Sequence, residues 1–112
     1  MKPQPTPQEL KIDIKSIKQA GTVLRAVNHK LRQQMLAQIH TMQKVSVNEL
    51  RFKLKLDQSV TSQHLALLRN AGFVLTERKG KFIYYSVNYY KLKQVEELSR
   101  DISKITDKTS NN

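Results

Sequence analysis

Residues 57–87, DQSVTSQHLALLRNAGFVLTERKGKFIYYSV, decide the fold. Asp57 is a good helix N-cap, because its carboxylate can accept a hydrogen bond from a backbone N–H one turn in, and Leu56 before it can pack back on that turn. From there Thr61, Leu65, Leu68 and Ala71 recur at spacings of four and three and so share one face, while Gln58, Ser59, Ser62, Gln63, Ala66 and Arg69 point elsewhere. Gly72 fits a left-handed C′ position that stops the helix. Residues 73–76 and 82–87 have strand propensity, and the Arg78-Lys79-Gly80-Lys81 link between them is tight, basic and contains the turn-permitting glycine. The stretch is a helix with a small, polar outward face, followed by a hairpin with a cationic tip.

That pairing suits DNA. Amide and hydroxyl side chains can read base edges in the major groove, and Arg or Lys at a loop tip can meet phosphates or the minor groove. A solvated helix and a hairpin charged for solubility fit the same features, so the rest of the chain has to decide.

The run Leu68-Arg69-Asn70-Ala71-Gly72-Phe73-Val74, the preceding Ser62-Gln63-His64-Leu65, and Arg78-Lys79-Gly80-Lys81-Phe82-Ile83-Tyr84-Tyr85-Ser86-Val87 resemble the winged helix-turn-helix of the ArsR/SmtB family of bacterial transcriptional regulators. Upstream, Arg32 sits where those proteins have an arginine opening their second helix, and Asn48-Glu49-Leu50, with Asp57 seven residues after Leu50, keeps the family's helix spacing. The resemblance covers residues 22–87 and implies a mainly α fold with a small β-hairpin wing (α+β), about five helices, and terminal helices that pair across a two-fold axis.

Composition points the same way. Twenty Lys and Arg against nine Asp and Glu give +11, which favours a polyanionic partner through counterion release and steering. No run approaches the eighteen or so apolar residues of a spanning helix, and the start Met-Lys-Pro-Gln-Pro lacks the apolar stretch of a signal peptide, so a cytoplasmic, nucleoid-associated protein without a membrane partner is expected. The absence of cysteine excludes disulfides, thiol redox sensing and thiolate metal sites.

Outward from the deciding stretch, residues 1–8 carry all three prolines and are expected to be a disordered tail, as are residues 108–112, with one winged domain over 9–107. From Gln8, Leu10, Ile14, Ile17, Gly21 and Leu24 predict a long first helix with a narrow seam, broken at Asn28 or His29. Leu31, Met35, Ile39 and Met42 continue as a second helix, the methionines as core. Residues 43–46 form a short connector, and Ser46 with Glu49 predicts a capping box for a third helix over 47–54, with Leu50 and Leu54 inward. A turn at Lys55-Leu56 completes the helix-turn-helix, and Arg51, Lys53 and Lys55 around it are within reach of phosphates or are solubilising charge. Asn88 can cap a last helix with a seam of Val95, Leu98, Ile102 and Ile105. Two apolar seams at the termini of so small a domain predict a homodimer.

The resemblance also has gaps. Many relatives bind metal through Cys-x-Cys at the start of the third helix, which falls here on Ser46 and Asn48. Others use His and carboxylates of the last helix, where this chain offers only Glu96, Glu97 and Asp101. No metal or other cofactor is expected. Val60 and Thr61 reverse the family's order of hydroxyl then branched apolar residue. With no glycine-rich phosphate loop, no cysteine nucleophile and no histidine–acid pair at a catalytic spacing, an enzyme is not expected. The resulting expectation is a sequence-specific regulator, a repressor, binding an inverted repeat in double-stranded DNA as a homodimer. Gln58, Ser59, Val60, Ser62 and Gln63 face base edges, Arg69, Arg78, Lys79 and Lys81 face phosphates and the wing contacts, and His64 is structural. An unidentified small molecule is a candidate effector, and a non-specific basic nucleic-acid binder is the alternative.

Overall fold

In the computed structural model, which describes Pro3, Gln4 and the backbone of residues 11–110 with side chains through Thr106, the chain runs α1 (Ile14–Val27), α2 (Lys30–Met42), β1 (Val45–Ser46), α3 (Val47–Leu54), α4 (Gln58–Asn70), β2 (Val74–Lys79), β3 (Phe82–Val87) and α5 (Tyr89–Ser110). Most of the expected N-terminal tail, and Asn111 and Asn112, lie outside the described residues.

Helix starts follow side-chain chemistry. α1 begins later than the apolar spacing from Gln8 implies, because Asp13 caps it: its carboxylate accepts from Ser16 N (3.1 Å) and Ser16 Oγ (2.6 Å). Those bonds, the hydroxyl's first, hold the Asp13 carboxyl below its usual range. The break at Asn28-His29 is a C-cap followed by an N-cap, with His29 Nδ1 accepting from Leu31 N (3.2 Å). Ser46 and Glu49 form the reciprocal capping box of α3, at 3.2 and 3.1 Å. Lys55, with φ +56, ends α3 in the left-handed region.

Asp57 departs from expectation. It occupies the N-cap position of α4, but its carboxylate is exposed and makes no capping bond. Its carbonyl closes the first turn instead, accepting from Thr61 N (3.0 Å) and Thr61 Oγ1 (2.9 Å), so the buried Thr61 hydroxyl is satisfied. At the other end Gly72 (φ +86) forms a full Schellman turn, its N–H donating to Arg69 O and that of Phe73 to Leu68 O.

The sheet has three antiparallel strands in the order β1-β3-β2. The hairpin pairs Val74 with Val87 through to Lys79 with Phe82, so the connecting turn is Gly80-Lys81 alone and Arg78 and Lys79 belong to β2. The connector at 43–46 is more than a link: Val45 pairs with Tyr85 and Ser46 with Tyr84, bringing the start of α3 onto the wing. Gln43 (φ +70) makes the γ-turn that allows this, with Lys44 N donating to Met42 O at 2.9 Å.

Met35, Ile39, Val45, Leu50, Leu65, Leu68 and Phe73 are fully buried and join α2, α3, α4 and the sheet in one core. α5 is anchored at its start. Asn88 Oδ1 accepts from Lys91 N (3.3 Å), while Asn88 Nδ2 donates to Gly72 O and its N–H to Phe73 O, both at 2.9 Å. Beyond the buried Val95, α5 leaves Leu98 and Ile102 exposed.

Candidate nucleic-acid interface

The inward face of α4, Thr61, Leu65 and Leu68, is buried in the core, which forces Gln58, Ser59, Ser62, Gln63 and Arg69 outward, all exposed. Val60 is half-buried at the edge of that face. One clamp sets the helix's position. Arg32 of α2 donates through Nη1 to the Arg25 and Ala26 carbonyls at the end of α1 (3.2 Å each) and through Nε to His64 Nδ1 of α4 (3.1 Å). It thereby satisfies two carbonyls a helix end leaves open and ties three helices together. Partial burial first, then the Arg32 guanidinium and His29, whose ring lies 5.1 Å away, hold the His64 imidazole below its ordinary range. Accepting at Nδ1 requires that nitrogen to be unprotonated.

The wing brings Arg78, Lys79 and Lys81 to its tip, all exposed, with Arg78 Nε donating back to Gly80 O at 3.3 Å. Residues 58–87 carry one acid, Glu77, against the four bases Arg69, Arg78, Lys79 and Lys81. Glu77 is engaged by Lys44 at 2.7 Å, which holds its carboxyl below the usual range. Between wing and helix lies a cleft of about 200 Å³ lined by Asn48, Gln58, Lys81 and Ile83 among others, so the start of α4 and the wing tip border one surface. Asn48 was legible in the sequence as part of the family's helix spacing and as a lost ligand position, but not as a neighbour of Gln58 in this cleft. On α3, Arg51 Nε donates to Asn48 Oδ1 (3.1 Å) and its guanidinium stacks over the exposed Phe52 ring (4.5 Å), while Lys53 and Lys55 are exposed.

A helix presenting amides and hydroxyls, flanked by a cationic wing, is what the match to known proteins explains. Residues 29–76 match the family model described as bacterial regulatory protein, arsR family. The chain is 34% identical over 92 residues to the transcriptional activator HlyU of Vibrio cholerae, covering 82% of this chain and 84% of the relative. It belongs to the arsR family and is a DNA-binding transcriptional regulator. The transcriptional repressor PagR of Bacillus anthracis is 32% identical over 93 residues, covering 82% of this regulator and 92% of PagR. An ArsR-like transcriptional regulator from Rhodococcus sp. RHA1 shares the fold, with a TM-score of 0.71 at 18% identity over 88% of this chain and 92% of that one. None of the helices among the described residues of this regulator is long and apolar enough to cross a membrane.

The Cys-x-Cys metal position of the family does not suit a metal here. Ser46 Oγ and the Asn48 carboxamide, both hard and neutral, are occupied in capping α3 and holding Arg51, and the described residues bring no three His, Cys, Asp or Glu together.

Proposed function

We propose that this regulator acts as a homodimer on an inverted repeat in double-stranded DNA and represses transcription by steric occlusion. α4 of each subunit enters the major groove with Gln58, Ser59, Val60, Ser62 and Gln63 at the base edges: glutamine can pair bidentately with adenine, serine with several bases, and the Val60 methyls can meet a thymine methyl. Arg69, Arg78, Lys79 and Lys81 take phosphates and the flanking minor groove, contributing affinity without reading sequence. The observation that carries this is the exposed face of α4 bordering the wing tip, with four bases and one engaged acid over residues 58–87.

Dimerisation is supported by the exposed apolar residues Ile14 and Ile17 of α1 and Leu98 and Ile102 of α5. A cleft of about 360 Å³ between α1, the start of α2 and α5, lined by Leu24, Val27, Gln33 and Ile102 among others, is where an unidentified small-molecule effector would bias the terminal helices against the winged core. The protein works in the bacterial cytosol, on the nucleoid.

Selection of bound duplexes from a random pool, followed by footprinting, tests this. The expected site is an inverted repeat with half-sites about 34 Å apart or a multiple of it. A footprint on a single half-site, unchanged by deleting its mate, contradicts the dimeric reading, and a pool with no enrichment contradicts sequence specificity.

A further inference from the structure

Phe82 opens β3 directly after the Gly80-Lys81 turn, opposite Lys79, and is 53% exposed. Residues paired across an antiparallel ladder share a face and successive residues alternate, so Phe82, Tyr84 and Lys79 lie on one face of the wing and Ile83 and Arg78 on the other. The Tyr84 ring backs Phe82, centroids 6.4 Å apart at 56°. The phenyl ring, paired with Tyr84 and about half exposed, stands at the tip of a strand outside the buried core, where it also borders the cleft toward α4.

The surroundings select its partner. Lys79 shares the ring's face as its cross-strand partner, Lys81 precedes it in the turn, and Glu77, the acid of this hairpin, is engaged by Lys44. A bare aromatic among cations fits a polyanion that presents apolar surface within reach of its charges. The minor groove does so, since sugars and base edges form its floor and phosphates its rims. We propose that Phe82 is a minor-groove wedge: it inserts beside the half-site read by α4 and packs against one base step, giving the operator a preference there for a readily unstacked pyrimidine–purine step. The inference rests on the DNA-binding reading above. Lys79 and Lys81 hold the two rims and deliver the ring, whose contribution is apolar and independent of salt.

The test uses the full-length protein and a duplex selected by it from a random pool, with 2-aminopurine placed in turn at the steps flanking each half-site. Wild type is expected to raise emission at one flanking step per half-site. Phe82→Ala loses that signal, binds about tenfold more weakly with an unchanged salt slope, and no longer distinguishes a TA or CA step from a stiff A-tract step at that position. Phe82→Leu, still an apolar wedge, keeps part of the signal and of the step preference, while Lys81→Ala keeps the signal and lowers the salt slope by about one. Thermal melting of each free protein confirms that an exposed position has been changed without loss of fold. Phe82→Ala binding as wild type, or retaining the emission change, overturns the wedge while leaving sequence-specific binding intact; wild type that selects no duplex overturns both readings together.

Discussion

α4 and α5 are both amphipathic helices with apolar residues three and four apart, yet their seams meet different fates. In α4 the seam is sealed: Thr61, Leu65 and Leu68 are at most 1% exposed, with Arg32 and the Gly72 turn fixing the helix laterally and at its end. In α5 the start is fixed through Asn88, and past the buried Val95 the seam is open at Leu98, 39% exposed, and Ile102, 43% exposed. Periodicity identifies which face is apolar but not what covers it. The sealed helix is held firmly enough to present a polar face at a defined position; the open one carries the seam that the proposed homodimer would cover.

The largest expected effects sharpen this contrast. Leu68→Ala removes a fully buried side chain and should lower stability by about 2–5 kcal/mol at any protein concentration, measured by urea denaturation. Ile102→Asp should leave the fold of each subunit in place but abolish dimers in sedimentation experiments and remove the concentration dependence of the melting temperature. A variant that stays dimeric would locate the subunit contact elsewhere.

Helix starts offer a second comparison of smaller size. Ser46→Ala breaks a two-bond capping box and should cost about 1 kcal/mol, whereas Asp57→Ala, which removes no capping bond, should cost less than about half of that. Equal costs would mean that the Asp57 carboxylate caps α4 in solution.

The smallest effect is pH-dependent and concerns the clamp on α4. His64 is held below its ordinary range when folded, so the folded state favours the neutral ring and the unfolded state binds a proton first. Its contribution is therefore fully present above the ordinary histidine pKa of about 6.5 and is lost as pH falls through the lower folded value. The stability advantage of wild type over His64→Gln should accordingly shrink between about pH 7 and pH 5. An advantage that grows on acidification would require Arg32 and His64 to be apart.

Much of this arrangement was legible in the sequence where local chemistry decides. The spacing of Thr61, Leu65, Leu68 and Ala71 marked the buried face of α4, Gly72 its end, Ser46 with Glu49 the start of α3, and Asn88 the cap of α5. What was not legible depends on distant partners or on too few residues to show a pattern. β1 has two residues, too short for any alternation, and exists because Tyr84 and Tyr85 pair with it. The Arg32 clamp joins residues 32 apart in sequence, and its role could not be read from a helix-opening arginine alone. Asp57 misled because a residue type that favours a cap does not fix which way its side chain turns. At the interface, Phe82 read as strand propensity, and only the register that sets it opposite Lys79 at the tip made it a contact candidate.

The proposed division of labour has α4 reading bases and the wing holding the backbone. Measuring affinity against salt concentration for the selected duplex and an unrelated one, with wild type, Gln63→Ala and Arg78→Ala, tests it most directly. Arg78→Ala should weaken binding to both duplexes alike and lower the salt slope by about one unit, while Gln63→Ala should keep the slope and lose the preference for the selected site. A wing variant that changes preference with the slope intact, beside a Gln63→Ala that weakens both duplexes equally, would contradict it.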